Sequence, residues 1–268
     1  MDFLPLFILA LVQGITEFLP ISSSGHLVLV PIFAGWPDQG PAIDVAVHVG
    51  TLLAVMVYFR ADLWRLIRGG LSVLGGKWHT PDAKLALYII VGTIPAVIAG
   101  FVLHELAVME AMRSMLIIGW TTLGFGVVLW AADKWGAQTT TVEAKGWSAV
   151  IGIGLAQCVA LIPGTSRSGI TMTAARAYGI DRQDAARFSM LLSIPTIAGA
   201  GLLVLLDVIE AGDPVLTQSA LISGGLAALT ALGAIALLMN WLARQTFTIF
   251  AVYRVLLGGG LLLYYYTH

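Results

Sequence analysis

Apolar residues run along this chain in blocks too long for an ordinary soluble helix. Six blocks, at about 43–59, 85–103, 114–132, 185–207, 217–243 and 247–265, can each cross a hydrocarbon core of about 30 Å and predict transmembrane helices. Two further apolar stretches, from Phe3 to about Ala34 and from Trp147 to about Tyr178, are broken midway by Pro, Gly and a cluster of Ser and Thr. Neither half of either stretch spans comfortably, so both predict re-entrant hairpins.

Composition agrees with the pattern. Of 268 residues, 58% are hydrophobic and 11% charged, against about 45–50% and about 25% in a soluble domain. Mean hydropathy is +0.90. So few charges could not cover a soluble surface, and the apolar excess excludes disorder. With a net charge of −1 there is no basic field, so no nucleic-acid partner is expected. One cysteine, Cys158, excludes a disulfide framework. The apolar start, Phe3 to Val12, follows Asp2 rather than a basic lead and runs into Gln13, Glu17 and Pro20, which does not read as a secretory signal.

The charges then orient the spans. Arg60, Arg65, Arg68, Lys77 and Lys84 lie in the loop 60–84, Lys134 and Lys145 in the loop 133–146, Arg182 and Arg187 before the fourth span, and Arg244 after the fifth. The opposite loops hold Arg113 alone and the acidic Asp207, Glu210 and Asp213. All basic loops share the cytoplasmic side only if 3–34 enters and leaves from outside and 147–178 from the cytoplasm. A shift of 144 residues lays Gln13 on Gln157, Ser22-Ser23-Ser24-Gly25 on Ser166-Arg167-Ser168-Gly169, and the span 43–59 on 187–203. Each half is then one hairpin plus three spans, and an odd number of spans inverts the second half. The expected fold is an all-α polytopic membrane protein with an inverted-topology repeat. It forms a single domain over 1–268, with repeat 1 at about 1–132 and repeat 2 at about 147–268.

Hairpins entering from opposite faces meet near the midplane, where irregular backbone needs a polar site. The first tip offers Glu17, a carboxylate inside an apolar stretch, which defaults to function. Gln13 lies one helical turn before it, and the two could hold a hard cation completed by water and phosphate. Ser22, Ser23, Ser24 and Gly25 open a half-helix whose N–H groups suit an anion, and His26 follows Ser23 by three residues, as a candidate base. The second tip, Pro163-Gly164-Thr165-Ser166-Arg167-Ser168-Gly169-Ile170-Thr171, adds hydroxyls and an arginine fork suited to phosphate. The inventory suits phosphoryl transfer. Plainer readings stand beside it. Serines in membrane helices often pack or cap. His48 and Arg254 read as satisfied structural groups, with Arg254 also able to neutralise Glu17. Asp44 reads as an N-cap, Arg176 as a snorkelling residue, and Trp36, Trp64, Trp147 and Tyr264 to Tyr266 as interface anchors.

Gln13-x-x-x-Glu17, Phe18-Leu-Pro-Ile-Ser-Ser-Ser-Gly-His26 and Pro163-Gly-Thr-Ser-Arg-Ser-Gly-Ile-Thr171 resemble the motifs of the undecaprenyl-diphosphate phosphatases of the bacitracin-resistance type, along essentially the whole chain. The resemblance implies a bacterial inner-membrane enzyme, open to the outer face, that hydrolyses undecaprenyl diphosphate to undecaprenyl phosphate and inorganic phosphate. It would recycle the wall-polymer lipid carrier and confer bacitracin resistance. It implies a divalent cation, Mg²⁺ or Ca²⁺, at Glu17 and Gln13, the latter standing where many members carry a first Glu. Glu17 would bind metal or activate the attacking group, Ser23 be nucleophile or phosphate ligand, His26 base or acid, and Arg167 the phosphate clamp. Ser22, Ser24, Thr165, Ser166, Ser168 and Thr171 are the remaining candidate phosphate contacts. Expected partners are the polyprenyl diphosphate and membrane lipid, and a homodimer is compatible with the sequence. Two mechanisms stay open: Ser23 attacks with His26 as base, or His26 and Glu17 activate a water. A second class of function, a transporter or flippase of a polyprenyl phosphate, would use the same tips as a binding site.

Overall fold

The computed structural model describes residues 3–37, 39–106, 112, 114–211 and 214–267. Side chains at 41, 104, 200, 202–211, 214 and 215 lie outside that description, as do Arg113 and Asp213 and the side chains of Asp207 and Glu210, on which the outer-loop charge reading rested. Twelve helices follow in order among the described residues: α1 (Phe3–Thr16), α2 (Ser23–Ala34), α3 (Pro41–Tyr58), α4 (Arg60–Leu74), α5 (Pro81–Glu105), α6 (Met115–Trp135), α7 (Val142–Lys145), α8 (Trp147–Val159), α9 (Arg167–Ala177), α10 (Arg182–Ala211), α11 (Pro214–Leu242) and α12 (Thr248–Thr267). Thr140 and Ile180 make an isolated bridge, and no strand forms among the described residues.

Helices α5, α6, α11 and α12 each contain a stretch long and apolar enough to cross a membrane. Helix α3 passes the same test together with α4, from which it is bent by 90°. The protein is a multi-pass membrane protein. Helix α10, at the expected fourth span, is 30 residues long. The two broken stretches are the short pairs α1–α2 and α8–α9, as their interruptions predict.

The 144-residue shift is visible in the elements. Helices α2 and α9 start at Ser23 and Arg167. Contacts are exchanged between the halves: α1 packs on α11 and α8 on α5, while α3 packs on α10 and α6 on α12. Two glycines permit the exchange. A Cβ on Gly14 would lie 2.6 Å from the Thr230 Cβ, and one on Gly154 would lie 2.7 Å from the Gly92 carbonyl. This reciprocal packing fits the inverted repeat.

Several readings need correction. The basic stretch 60–84 is mostly helix α4 rather than loop, because its charges find partners. Arg65 pairs with Asp62 and Asp82, both at 3.1 Å. Arg187 of α10 grips Asp62 at 2.7 and 3.0 Å and reaches Glu143 of α7 at 3.1 Å. Asp44 is not an N-cap: Gly40 holds that place, and Asp44 accepts from Gln39 at 2.5 Å within the first turn. Arg176 does not snorkel. It is fully buried, and its Nε donates to Asp133 at 2.9 Å while the rest of its fork gathers the carbonyls of Asp133, Gly136, Ala137 and Ile180. Asp133 also accepts from Arg182 at 2.7 Å and from the Phe247 amide at 2.9 Å, which ties α6 to α10 and to the start of α12.

Arg176→Ala would leave four carbonyls without their donor and Asp133 with Arg182 as its remaining ion-pair partner, and each buried acceptor left unsatisfied costs about 1–3 kcal/mol. Thermal unfolding in detergent should show a clearly lowered midpoint for Arg176→Ala. The exposed Arg244→Ala should stay within about 0.5 kcal/mol of the parent.

Candidate active site

The first tip is built by the end of α1 and the start of α2. The Glu17 amide still bonds the Gln13 carbonyl at 2.9 Å, so Glu17 continues the helix face of Gln13. The chain then turns through Leu19, Pro20 and Ile21 to Ser22, whose φ of +75° lies in the left-handed region that a side chain rarely adopts. Ser22 caps α2, its hydroxyl accepting from the Gly25 amide at 3.4 Å. At the matching place in the second tip, Ser166 has φ +71° and its hydroxyl accepts from the Gly169 amide at 3.0 Å. These are the two non-glycine residues with positive φ among those described.

Glu17 sits 7% exposed where the tips meet. Its Oε2 accepts from Ser23 Oγ at 2.6 Å and from Gln13 Nε2 at 2.9 Å. Its Oε1 accepts from the Arg167 fork at 2.5 Å, which joins the first hairpin to the second. Arg167 also donates to the Ser189 carbonyl at 3.1 Å and lies 5.9 Å from the centre of the buried Phe18 ring, leaving its remaining N–H groups for an incoming anion. A fourth neighbour comes from α3. His48 Nε2 lies 3.6 Å from Glu17 Oε2, while His48 Nδ1 bonds the Asp44 carbonyl at 2.7 Å.

Gln13, Glu17, Ser23 and Arg167 are therefore brought together. The other candidates are placed differently. His26 does not reach Ser23: its Nδ1 bonds the Ser22 carbonyl at 2.7 Å and its Nε2 the Tyr253 hydroxyl at 2.6 Å. Ser24 is exposed and lies 3.4 Å from the Ser22 hydroxyl. Ser166, Ser168 and Thr171 are buried and support the tips. Ser168 donates to the Leu19 carbonyl at 3.0 Å, and Thr171 bonds the Arg167 carbonyl at 2.8 Å and the Ser189 hydroxyl at 2.7 Å. Thr165 is buried with its hydroxyl unpartnered. Arg254 does not neutralise Glu17. Fully buried, it donates to the carbonyls of Pro20 (3.2 Å), Gly164 (3.0 Å), Thr122 (3.1 Å) and Thr121 (3.4 Å), so it clasps both tips.

The donor set can be tested for a cation. No cluster of three or more His, Cys, Asp or Glu that could hold a metal occurs among the described residues. However, Gln13 Oε1 is buried with no hydrogen-bond partner, beside the Glu17 carboxylate. An amide oxygen and a carboxylate are hard donors, too few for a closed cage but suited to an ion that keeps water and takes substrate phosphate.

Residues 6–260 match the family described as bacitracin resistance protein BacA. The chain belongs to that family. Among the relatives of this BacA chain, the undecaprenyl-diphosphatase of Roseobacter denitrificans is 51% identical over 264 residues, 98% of each chain. That of Ruegeria pomeroyi is 51% identical over 265 residues, 96% of this chain and 97% of its own. That of Erythrobacter litoralis is 46% identical over 286 residues, 99% of this chain and 100% of its own. Sequence reasoning about this BacA-family site missed the contacts of His48 and Tyr253. His48 carried a signal, an ionisable ring inside an apolar span, which favours function over structure. Tyr253 carried none.

Arg167→Ala should abolish turnover of a diphosphate lipid, and Arg167→Lys should restore little, because a point charge cannot replace a fork. Steady-state assays of the two variants beside the parent check this, and near-parent activity in the alanine variant would remove Arg167 from the site.

Proposed function

We propose that this chain hydrolyses undecaprenyl diphosphate to undecaprenyl phosphate and inorganic phosphate through Ser23, with Glu17 as its base. The observation that carries this reading is the 2.6 Å bond from Ser23 Oγ to a Glu17 carboxylate that also meets the Arg167 fork. The distance and the acceptor favour Glu17 over His26 as the group that activates Ser23.

The chemistry follows from these positions. The polyprenyl tail stays in the bilayer and the diphosphate enters between the tips. Arg167 exchanges its contact with Glu17 for phosphate oxygens, which frees the carboxylate to act as a base. Ser23 Oγ attacks the terminal phosphorus as its proton passes to Glu17 Oε2. The bond from that phosphorus to the bridging oxygen breaks, and undecaprenyl phosphate leaves. Backbone N–H groups at the start of α2 face the phosphoryl oxygens. A water then hydrolyses the phosphoserine, and His26, turned away from Ser23, is left for this second step. Glu17 and Gln13 would hold a Mg²⁺ or Ca²⁺ ion, which supplies charge neutralisation on the phosphate.

In this reading the enzyme lies in the bacterial inner membrane with its site toward the periplasm. It returns the carrier lipid to peptidoglycan synthesis, and bacitracin, which sequesters the diphosphate, is countered by more enzyme. The test is phosphate release from undecaprenyl diphosphate by detergent-purified protein. Release should require Mg²⁺ or Ca²⁺, stop with EDTA, and fall at least about 10²-fold in Glu17→Gln. A folded protein that releases no phosphate under any metal would leave a carrier of the lipid as the reading of the site.

A further inference from the structure

Tyr253 stands on α12, 41% exposed, and the steps above do not use it. Its hydroxyl lies 2.6 Å from His26 Nε2, and the two rings stack with centroids 5.8 Å apart and planes within 11°. The other ring nitrogen fixes the direction of that bond. His26 Nδ1 is 2.7 Å from the Ser22 carbonyl, which can only accept, so in the neutral ring Nδ1 carries the hydrogen. Nε2 is then a lone pair, and the Tyr253 hydroxyl donates to it. The phenol oxygen keeps its own lone pairs.

The next residue holds this geometry in place. Arg254 binds the Pro20 and Gly164 carbonyls, one from each tip. The backbone that presents Tyr253 is thereby tied to the turn that presents Ser23. The His26 ring bonds the Ser22 carbonyl and Tyr253 rather than Ser23, so a base at His26 needs a bridge to any water near that serine.

We infer that Tyr253 is the bridge: it relays the proton of the attacking water to His26 in the second step, an inference that rests on the two-step reading above. The water oxygen bonds phosphorus and the bond from phosphorus to Ser23 Oγ breaks. One water proton passes to the Tyr253 oxygen as the tyrosine proton passes to His26 Nε2. Ser23 Oγ recovers its proton from Glu17, and the imidazolium later returns its proton to solvent. Tyrosine starts and ends neutral, so no phenolate, with its ordinary pKa of about 10, has to form.

Tyr253→Phe keeps the ring stack and removes the relay atom. Rapid-quench turnover of undecaprenyl diphosphate should give one equivalent of undecaprenyl phosphate per enzyme at near-parent rate. Inorganic phosphate release should slow by about 10²–10⁴-fold, with phosphate found on Ser23 by peptide mass spectrometry. His26→Gln should trap the same species. Parent-like phosphate release in Tyr253→Phe, or equal loss of both products, would overturn the relay. If phosphoserine forms in neither variant while both release the two products together, the two-step reading itself fails and the relay with it.

Discussion

A carboxylate among apolar helices must be compensated where it stands, and insertion of such a group costs at least about 2.5–3.5 kcal/mol. Glu17 meets that cost with Gln13 from its own helix, Ser23 from the next, His48 from α3 and Arg167 from the opposite hairpin. Four segments thus converge on one charged group. The same convergence brings a hydroxyl, a carboxylate and an arginine fork within bonding distance. Compensating the charge and assembling the site are one arrangement, which explains why the polar contacts of both tips point inward.

The scaffold is symmetric while the chemistry is not. Across the 144-residue shift, Ser22 and Ser166 keep the same left-handed backbone and the same capping role, a strain of order 1–3 kcal/mol each that surrounding contacts must hold. Ser24 and Ser168 keep the neighbouring hydroxyl, and Gln13 and Gln157 the amide. Yet Glu17 falls on Leu161, Ser23 on Arg167 and His26 on Ile170. One tip carries a hydroxyl beside a carboxylate, the other carries the arginine that meets them. Arg254 supplies the stiffness, since it draws carbonyls from both tips onto one buried guanidinium.

Much of this was legible in the residues. The apolar blocks gave the long helices, the interruptions gave the two hairpins, and Glu17 and Arg167 stood out as charges in apolar surroundings. What escaped has physical causes. Basic residues read as a loop when the carboxylates that pair with them go unmatched, so α4 was hidden until Arg65 met Asp62 one turn away and Asp82 on α5, and Arg187 met Asp62 across 125 residues. Arg176 looked peripheral because its partner Asp133 lies in another helix. The spacing of His26 from Ser23 allowed a base, but rotamer direction is not a property of spacing. The ring instead turned to Ser22 and Tyr253. Helical periodicity likewise could not reveal that Tyr253 meets His26 of the first hairpin.

The central claim is that Glu17 and Ser23 work as one unit. A double-mutant cycle in kcat/KM measures it directly, with Ser23→Ala, Glu17→Gln and both together acting on undecaprenyl diphosphate. If the base acts through the hydroxyl, the double variant should be no slower than the worse single variant, because the second change removes nothing further. Losses that multiply would show two groups acting independently and would contradict the account.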